Sequence, residues 1–343
     1  MTRPASLVLF FILPWLAAAA PASLVSLEGE VTVSRGGVVI PSEKLSDGFL
    51  LEAFDTISTG TTGKADVRFT PSIGLSGSLR LDSDTSLYLE LTTLKKEQLV
   101  GVELLTGSVS VSLSAVAGSS ALEVRTDSGT YTGTGPQFRL VETSWGDVLA
   151  TTKAGKVLCR VGNRTVYAEP GSVVEVLNLD RSVQTYTVNV STLDSYETTW
   201  ARQRQQVFRD QSAVAFRTAA SRYQLQGGLF QRAWDRVQRE SQEDPRGAAV
   251  ANLRRAAGPL ERSLFQIKAL RKLFDDGTLS PSLELTRGYA AKDFFRQATQ
   301  DEVVWMPRLL EARAFYRALA DKNGGSFPRA AGVAITWNSD FFQ

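Results

Sequence analysis

Between Ser23 and about Val190 the chain alternates apolar and polar residues with a period of two. Clear instances are Ala65-Val67-Phe69, Leu79-Leu81, Leu87-Leu89-Leu91, Leu122-Val124 and Val188-Val190. Such alternation puts every second side chain on one face of an extended strand. Three stretches repeat one phrase, a glycine followed by strict alternation: Gly29-Glu-Val31-Thr-Val33, Gly107-Ser-Val109-Ser-Val111 and Gly155-Lys-Val157-Leu-Cys159. Each glycine is expected to take a positive φ at a turn that starts a strand. Turn signals such as Ser46-Asp47-Gly48, Asp127-Ser128-Gly129 and Glu169-Pro170-Gly171 separate the runs. Many short strands with frequent turns predict an all-β unit, a sandwich, a barrel or a solenoid-like stack. The unequal spacing of the three phrases excludes a solenoid of fixed period.

From about Tyr196 the period changes to 3.6. Trp200, Val207 and Val214 recur at seven, with Phe208 and Ala215 beside them. Leu229, Phe230, Ala233, Trp234 and Val237 outline a second face. Leu253, Leu260, Ile267 and Phe274 form a heptad row, with Ala257 and Leu264 between. Asp275-Asp276-Gly277 reads as a helix end. Ser280-Pro281 reads as a helix start, and Thr299-Gln-Asp-Glu302 as a capping box ahead of Val303 and Val304. Pro307 is expected to kink or restart that helix, which continues to Gly324-Gly325. The tail Val333, Ile335, Trp337 alternates like a short strand that packs back on the chain. The expected division is a leader over 1–22, an all-β unit over 23–192, helices over 193–325 and a tail over 326–343.

The leader reading rests on Arg3, the apolar run Leu7–Ala20 and the small-x-small pattern Ala20-Pro21-Ala22, with the mature chain starting near Ser23. The run is short for a spanning helix. The expectation is a periplasmic or secreted bacterial protein with no stable membrane span after cleavage.

The 343 residues hold no histidine and one cysteine. Histidine-dependent catalysis and Cys/His zinc sites are therefore outside this chain's means. Cys159, in the row Val157-Cys159-Val161, is read as a core side chain. Net charge is +2, but it is divided unevenly: 15 basic and 20 acidic residues precede Tyr196, and 23 basic and 16 acidic follow. Two readings fit, docking of the halves or an acidic partner on one side and a mixed solvated surface on the other, and the solvated surface is the preferred one. Basic-aromatic clusters such as Arg232-Ala-Trp234-Asp-Arg236 follow helical spacing, so nucleic acid is not expected as a partner.

The ordered set of strand motifs resembles a FecR-type domain. Leu27-Glu-Gly29-Glu-Val31-Thr-Val33 is similar to that family's opening. Asp47-Gly48 followed by Phe54-Asp55-Thr56-Ile57-Ser58-Thr59-Gly60 is similar to its next segment. Leu104-Leu105-Thr106-Gly107-Ser108-Val109, Val124-Arg125-Thr126-Asp127, Gly133-Thr134 with Phe138, Ala154-Gly155-Lys156-Val157 and Glu169-Pro170-Gly171 follow in order. The motif positions are Gly29, Val31, Asp55, Ile57, Gly60, Gly107, Gly133, Thr134, Phe138, Gly155 and Gly171, all read as structural. Asp55, beside a turn, is expected to accept backbone N–H groups and is not read as catalytic. Phe54 stands where the family often has glycine, and Gly135-Pro136 adds a break.

FecR-type regulators join a cytoplasmic anti-sigma segment, a membrane helix and an exported sensing part. The resemblance covers the exported part, to which this chain adds helices. It implies a non-enzymatic envelope protein that binds other envelope proteins as a scaffold or signalling module. The alternatives are a peptidoglycan- or glycan-binding module and, more remotely, a carboxylate-dependent hydrolase. No catalytic residue, metal or cofactor is expected.

Overall fold

A computed structural model describes residues 20–35, 38–73, 75–91, 99–114, 121–133, 135–178, 182–240, 247–286 and 289–322. Most of the leader and the whole 326–343 tail, with its expected strand, lie outside the described residues. The early strands are β1 (Ala22–Glu28), β2 (Val31–Arg35), β3 (Val38–Ile40), β4 (Leu50–Leu51), β5 (Thr56–Thr59), β6 (Lys64–Phe69), β7 (Gly77–Leu81) and β8 (Ser86–Leu89). Then come β9 (Leu99–Leu113), β10 (Ala121–Arg125), β11 (Thr130–Gly133), β12 (Gln137–Glu142), β13 (Val148–Ala154), β14 (Val157–Val161), β15 (Arg164–Ala168), β16 (Ser172–Leu177) and β17 (Ser182–Thr187). Helices α1 (Leu193–Asp210), α2 (Ser212–Glu240), α3 (Gly247–Asp275) and α4 (Ala291–Lys322) follow among the described residues. A small pair, β18 (Glu284–Thr286) and β19 (Tyr289–Ala290), precedes α4.

The strands stack as two sheets, the sandwich among the expected architectures. The first sheet runs β4-β1-β6-β7-β9-β12-β13-β16-β17 and is antiparallel throughout. The second runs β3-β2-β5-β8-β9-β10-β11-β14-β15, with β9 and β10 parallel. Alternation explains the single core between them. Leu24, Val67, Leu79 and Val111 from one sheet meet Val33, Ile57, Leu87 and Tyr131 from the other. Val157, Cys159 and Val161 face this core, while Arg160 points to solvent.

β9 belongs to both sheets, and Gly107 is where it changes over. Leu99–Thr106 pairs in the second sheet and Gly107–Leu113 in the first. Gly107 has φ +93°, and a Cβ there would lie 2.4 Å from the Thr85 backbone. The glycine is therefore a bend inside one long strand and not the turn its phrase suggested. Gly29 and Gly155 do hold positive φ at turns, as expected.

The helices follow the apolar faces with corrections. Leu253, Ala257, Leu260, Leu264 and Ile267 are buried along α3, and Gly277 ends it with φ +79°. Val214, at 56% exposure, faces solvent because the helix breaks at Gln211 and shifts the seven-residue row; Leu229, on the second face, is exposed as well. Ser280-Pro281 does not start a helix; the β18–β19 pair intervenes. Thr299 is no cap: it lies inside α4, its hydroxyl bonded to the Phe295 carbonyl four residues back, with Val303 and Val304 exposed. Pro307 lies within α4, which continues past it to Lys322 without restarting.

Candidate functional site

The family-type motif residues are spread through the sandwich as framework. Val31, Ile57 and Phe138 are buried. Gly60 donates its N–H to the Glu30 carbonyl at 2.8 Å. At Gly133 a Cβ would fall 2.0 Å from the Phe138 ring, so the glycine makes room for the motif's own aromatic. Gly171 closes the turn into β16 with φ +84°. Thr134 lies outside the described residues. Asp55 accepts the Glu52 backbone N–H at 2.8 Å, in keeping with its place beside a turn. Its strongest partner was not foreseen: Arg35 clasps both carboxylate oxygens, with Nη2 at 2.7 Å and Nε at 3.1 Å.

The residues that the fold gathers most tightly are others. Five acids on the sandwich face arginines on the helices. Asp127, at the β10–β11 turn, accepts both terminal nitrogens of Arg222 on α2. Arg262 on α3 reaches the same carboxylate at 3.9 Å and bonds Glu103 on β9. Glu90 is bound by Arg254 of α3 and by Arg125 of β10. Asp147 is fully buried and takes three donors: Arg204 Nε of α1 at 2.7 Å, Trp145 Nε1 at 2.9 Å and the Asn178 N–H at 2.6 Å. Glu142, on β12, accepts the Asp127 N–H at 3.1 Å through Oε1, while Oε2 is buried with no hydrogen-bond partner among the described residues.

The carboxyls respond differently. Burial pushes Glu142 well above the usual carboxylate range, and Asp127 and Glu103 add to this against the pull of Arg262. Burial also raises Glu103, partly offset by Arg262. At Asp127 burial acts upward too, but Arg222 and Arg262 outweigh it and the carboxyl ends below its ordinary value. Glu103, Asp127 and Glu142 thus share Arg222 and Arg262, with Glu261 and Arg313 close enough to contribute. Low dielectric makes the arginines necessary, because an uncompensated charge here costs several kcal/mol.

An apolar anchor lies next to these pairs. Phe54 has φ +71°, the left-handed conformation that glycine adopts freely. This accounts for glycine at the equivalent family position. Here the phenyl ring projects out of the sandwich and into the helical core, 2% exposed, with Tyr88 at 6.4 Å and Tyr316 of α4 at 6.3 Å between centroids. Arg313 of α4 sits 5.4 Å over the Tyr88 ring and binds Glu261 of α3 at 2.5 Å.

All five acids fall in one segment of the sequence. A sequence model of the family described as "FecR protein" matches residues 55–158. The chain carries a FecR-type domain. Two crystal structures of an inferred anti-sigma factor from Parabacteroides distasonis ATCC 8503, at 2.50 and 1.65 Å, are similar to it at 15% identity with a TM-score of 0.35. The similarity spans 41% of this chain and 63% of that one, a little under two thirds of its length. A comparison with curated proteins finds no match.

The FecR-type domain contributes the acids; α1–α3, which follow the matched segment, contribute Arg204, Arg222, Arg254 and Arg262. Part of the charge division in the sequence therefore serves docking, beside the mixed solvated surface that was the preferred reading. α1 is fixed separately on the first sheet, with Trp200 and Leu193 against Leu149, Val173 and Val188. Its Glu197 bonds Arg139 at 2.8 Å and Thr151 at 2.7 Å.

At one end of this junction lies a cleft of about 430 Å³. Its sheet wall carries the hydroxyls of Ser58, Ser86 and Thr106 with Asp84, and its helix wall carries Arg209, Lys268 and Lys272 with Asp276. Trp145 and Phe208, stacked at 4.3 Å and 4°, close its inner side. Arg209 is 3.6 Å from Asp276, and Lys268 is 2.7 Å from Glu302. Among the described residues no group of three His, Cys, Asp or Glu side chains converges on a metal position. No helix of the described residues is long and apolar enough to cross a membrane.

Proposed function

We propose that this chain is an exported, non-catalytic envelope protein whose FecR-type domain and helices act as one rigid body that binds a partner protein. The observation that carries the reading is the junction itself. Every acid of the FecR-type domain described above is committed to an arginine or a backbone donor, which suits a scaffold held in fixed geometry better than a titrating catalytic pair. The cleft beside it supplies hydroxyls and Asp84 on one wall, and three cations against the single carboxylate of Asp276 on the other. This favours an acidic, hydrogen-bonding segment of a partner, and makes binding sensitive to salt. The one aromatic stack in the cleft is already internal, so nothing in the cleft favours a glycan.

Export rests on the leader pattern. β1 starts at buried Ala22, and the Pro21 carbonyl accepts the Thr70 N–H at 2.9 Å. A cut upstream, in the run Ala17-Ala18-Ala19, retains both contacts, whereas a cut at Ser23 removes them.

A photo-crosslinking residue at Lys272 tests the reading in intact cells, with one at exposed Val303 as the comparison. The expected result is a crosslinked envelope protein from position 272 only, reduced by raised salt and by Lys268→Glu. Crosslinks to cytoplasmic proteins, or equal crosslinking from both positions, refute it.

A further inference from the structure

The two ends of the sandwich are not equally protected. An edge strand offers unpaired N–H and C=O groups, and natural sheets blunt such edges with charge, proline, bulges or short length. β3 and β4 are three and two residues long. β15 carries Arg164, with Lys156 of β14's approach lying over its Tyr167. β17 has none of these devices. It is six residues, Ser182-Val-Gln-Thr-Tyr-Thr187, with no charge and no proline, and among the described residues it pairs only with β16 in unbroken register.

The direction of its free groups follows from one bond. Val188 donates its N–H to Gly171 at 2.9 Å, continuing the β16–β17 register. In an antiparallel pair the hydrogen-bonding direction alternates by residue. Tyr186, Gln184 and Ser182 therefore turn toward β16. Val183, Thr185 and Thr187 turn their N–H and C=O outward, three donors and three acceptors on one open edge.

We infer that β17 is a self-association edge, taken by β17 of a second copy of this chain in antiparallel, two-fold register about Thr185. In that register Thr185 meets its own mate, and the two exchange both backbone bonds. Val183 meets Thr187, and Gln184 meets Tyr186. Each pairing is between uncharged residues, and Thr–Thr pairs are favourable across strands. Because no residue of 182–187 is charged, the two-fold places no like charges together. The contact is isologous, so it closes at the dimer and does not propagate. Six residues a side bury less than the roughly 1,200 Å² of a stable interface, which makes the dimer weak and concentration-dependent.

Sedimentation velocity over a wide concentration range is the test. The intact mature protein is expected to shift from monomer to dimer as concentration rises. Thr185→Lys and Thr185→Glu each put like charges on the two-fold axis and are expected to weaken the dimer at least 10-fold with unchanged dichroism. An equimolar mixture of the two is expected to restore it. Thr165→Lys on β15 leaves the dimer unaffected. As a second route, Thr185→Cys is expected to form an intermolecular disulfide on mild oxidation, while Thr165→Cys does not. A protein that stays monomeric at all concentrations overturns the inference, as does a dimer that Thr185→Lys leaves intact or a mixture that fails to restore it.

Discussion

Arg262→Met is the most informative single change at the junction. The guanidinium is buried between Glu103 and Asp127 and faces Glu142, so methionine keeps much of the volume and removes the charge and its hydrogen bond to Glu103. Breaking a buried ion pair by deleting one partner costs about 3–5 kcal/mol. At about 2–4 °C per kcal/mol for a chain of this class, the melting temperature is expected to fall by roughly 6–20 °C. The pH dependence has a definite sign. Glu103 and Glu142 already have raised values, and losing Arg262 raises them further. A carboxyl whose folded value is raised keeps its stability below the ordinary value and loses it as pH rises through the raised one. The deficit of Arg262→Met is therefore larger at pH 8 than at pH 5. Adding Glu103→Gln removes the stranded charge and is expected to recover at least half of the loss. Calorimetry of the four proteins in the cycle, at both pH values, measures this. A deficit that grows on acidification, or no coupling between the two changes, refutes the electrostatic account.

Other expectations follow from the same geometry. Glu142→Gln is expected to match the parent in acid and exceed its melting temperature at pH 8, because the parent loses stability as Glu142 is forced to ionise. Phe54→Gly removes left-handed strain of about 1 kcal/mol but also a buried ring contributing about 3–5 kcal/mol, so a net loss of roughly 2–4 kcal/mol is expected in thermal unfolding. Val109→Asp and Val157→Asp are expected to prevent folding by burying a charge, while Arg160→Asp on the solvent side leaves soluble yield unchanged. Mass spectrometry of exported protein is expected to find a mature N-terminus before Pro21, since a start at Ser23 discards the first contacts of β1.

What the sequence disclosed depends on range. Period-two rows such as Val157-Cys159-Val161 are local, and they placed the inward face correctly. Phe54 stood out as a departure from glycine, and its positive φ gives the reason. The junction was not legible in the same way. Arg262 meets Glu103 across 159 residues and Arg222 meets Asp127 across 95, and no local pattern encodes such pairs. Their one trace was the opposite charge of the two halves. Asp127 read as a turn residue closing a family-type segment, because Asp-Ser-Gly is a sufficient turn signal by itself. Thr299-Glu302 misled for a related reason: a capping box is also an ordinary pattern inside a helix, and only the continuous run from Ala291 decides between them.

The central claim is that helices and FecR-type domain form one body through the acid–arginine junction. Scanning calorimetry of the intact mature chain tests this most directly. The account predicts a single transition whose van't Hoff and calorimetric enthalpies agree, splitting only when Arg222, Arg254 and Arg262 are all replaced by methionine. Two separate transitions in the unaltered protein would contradict it.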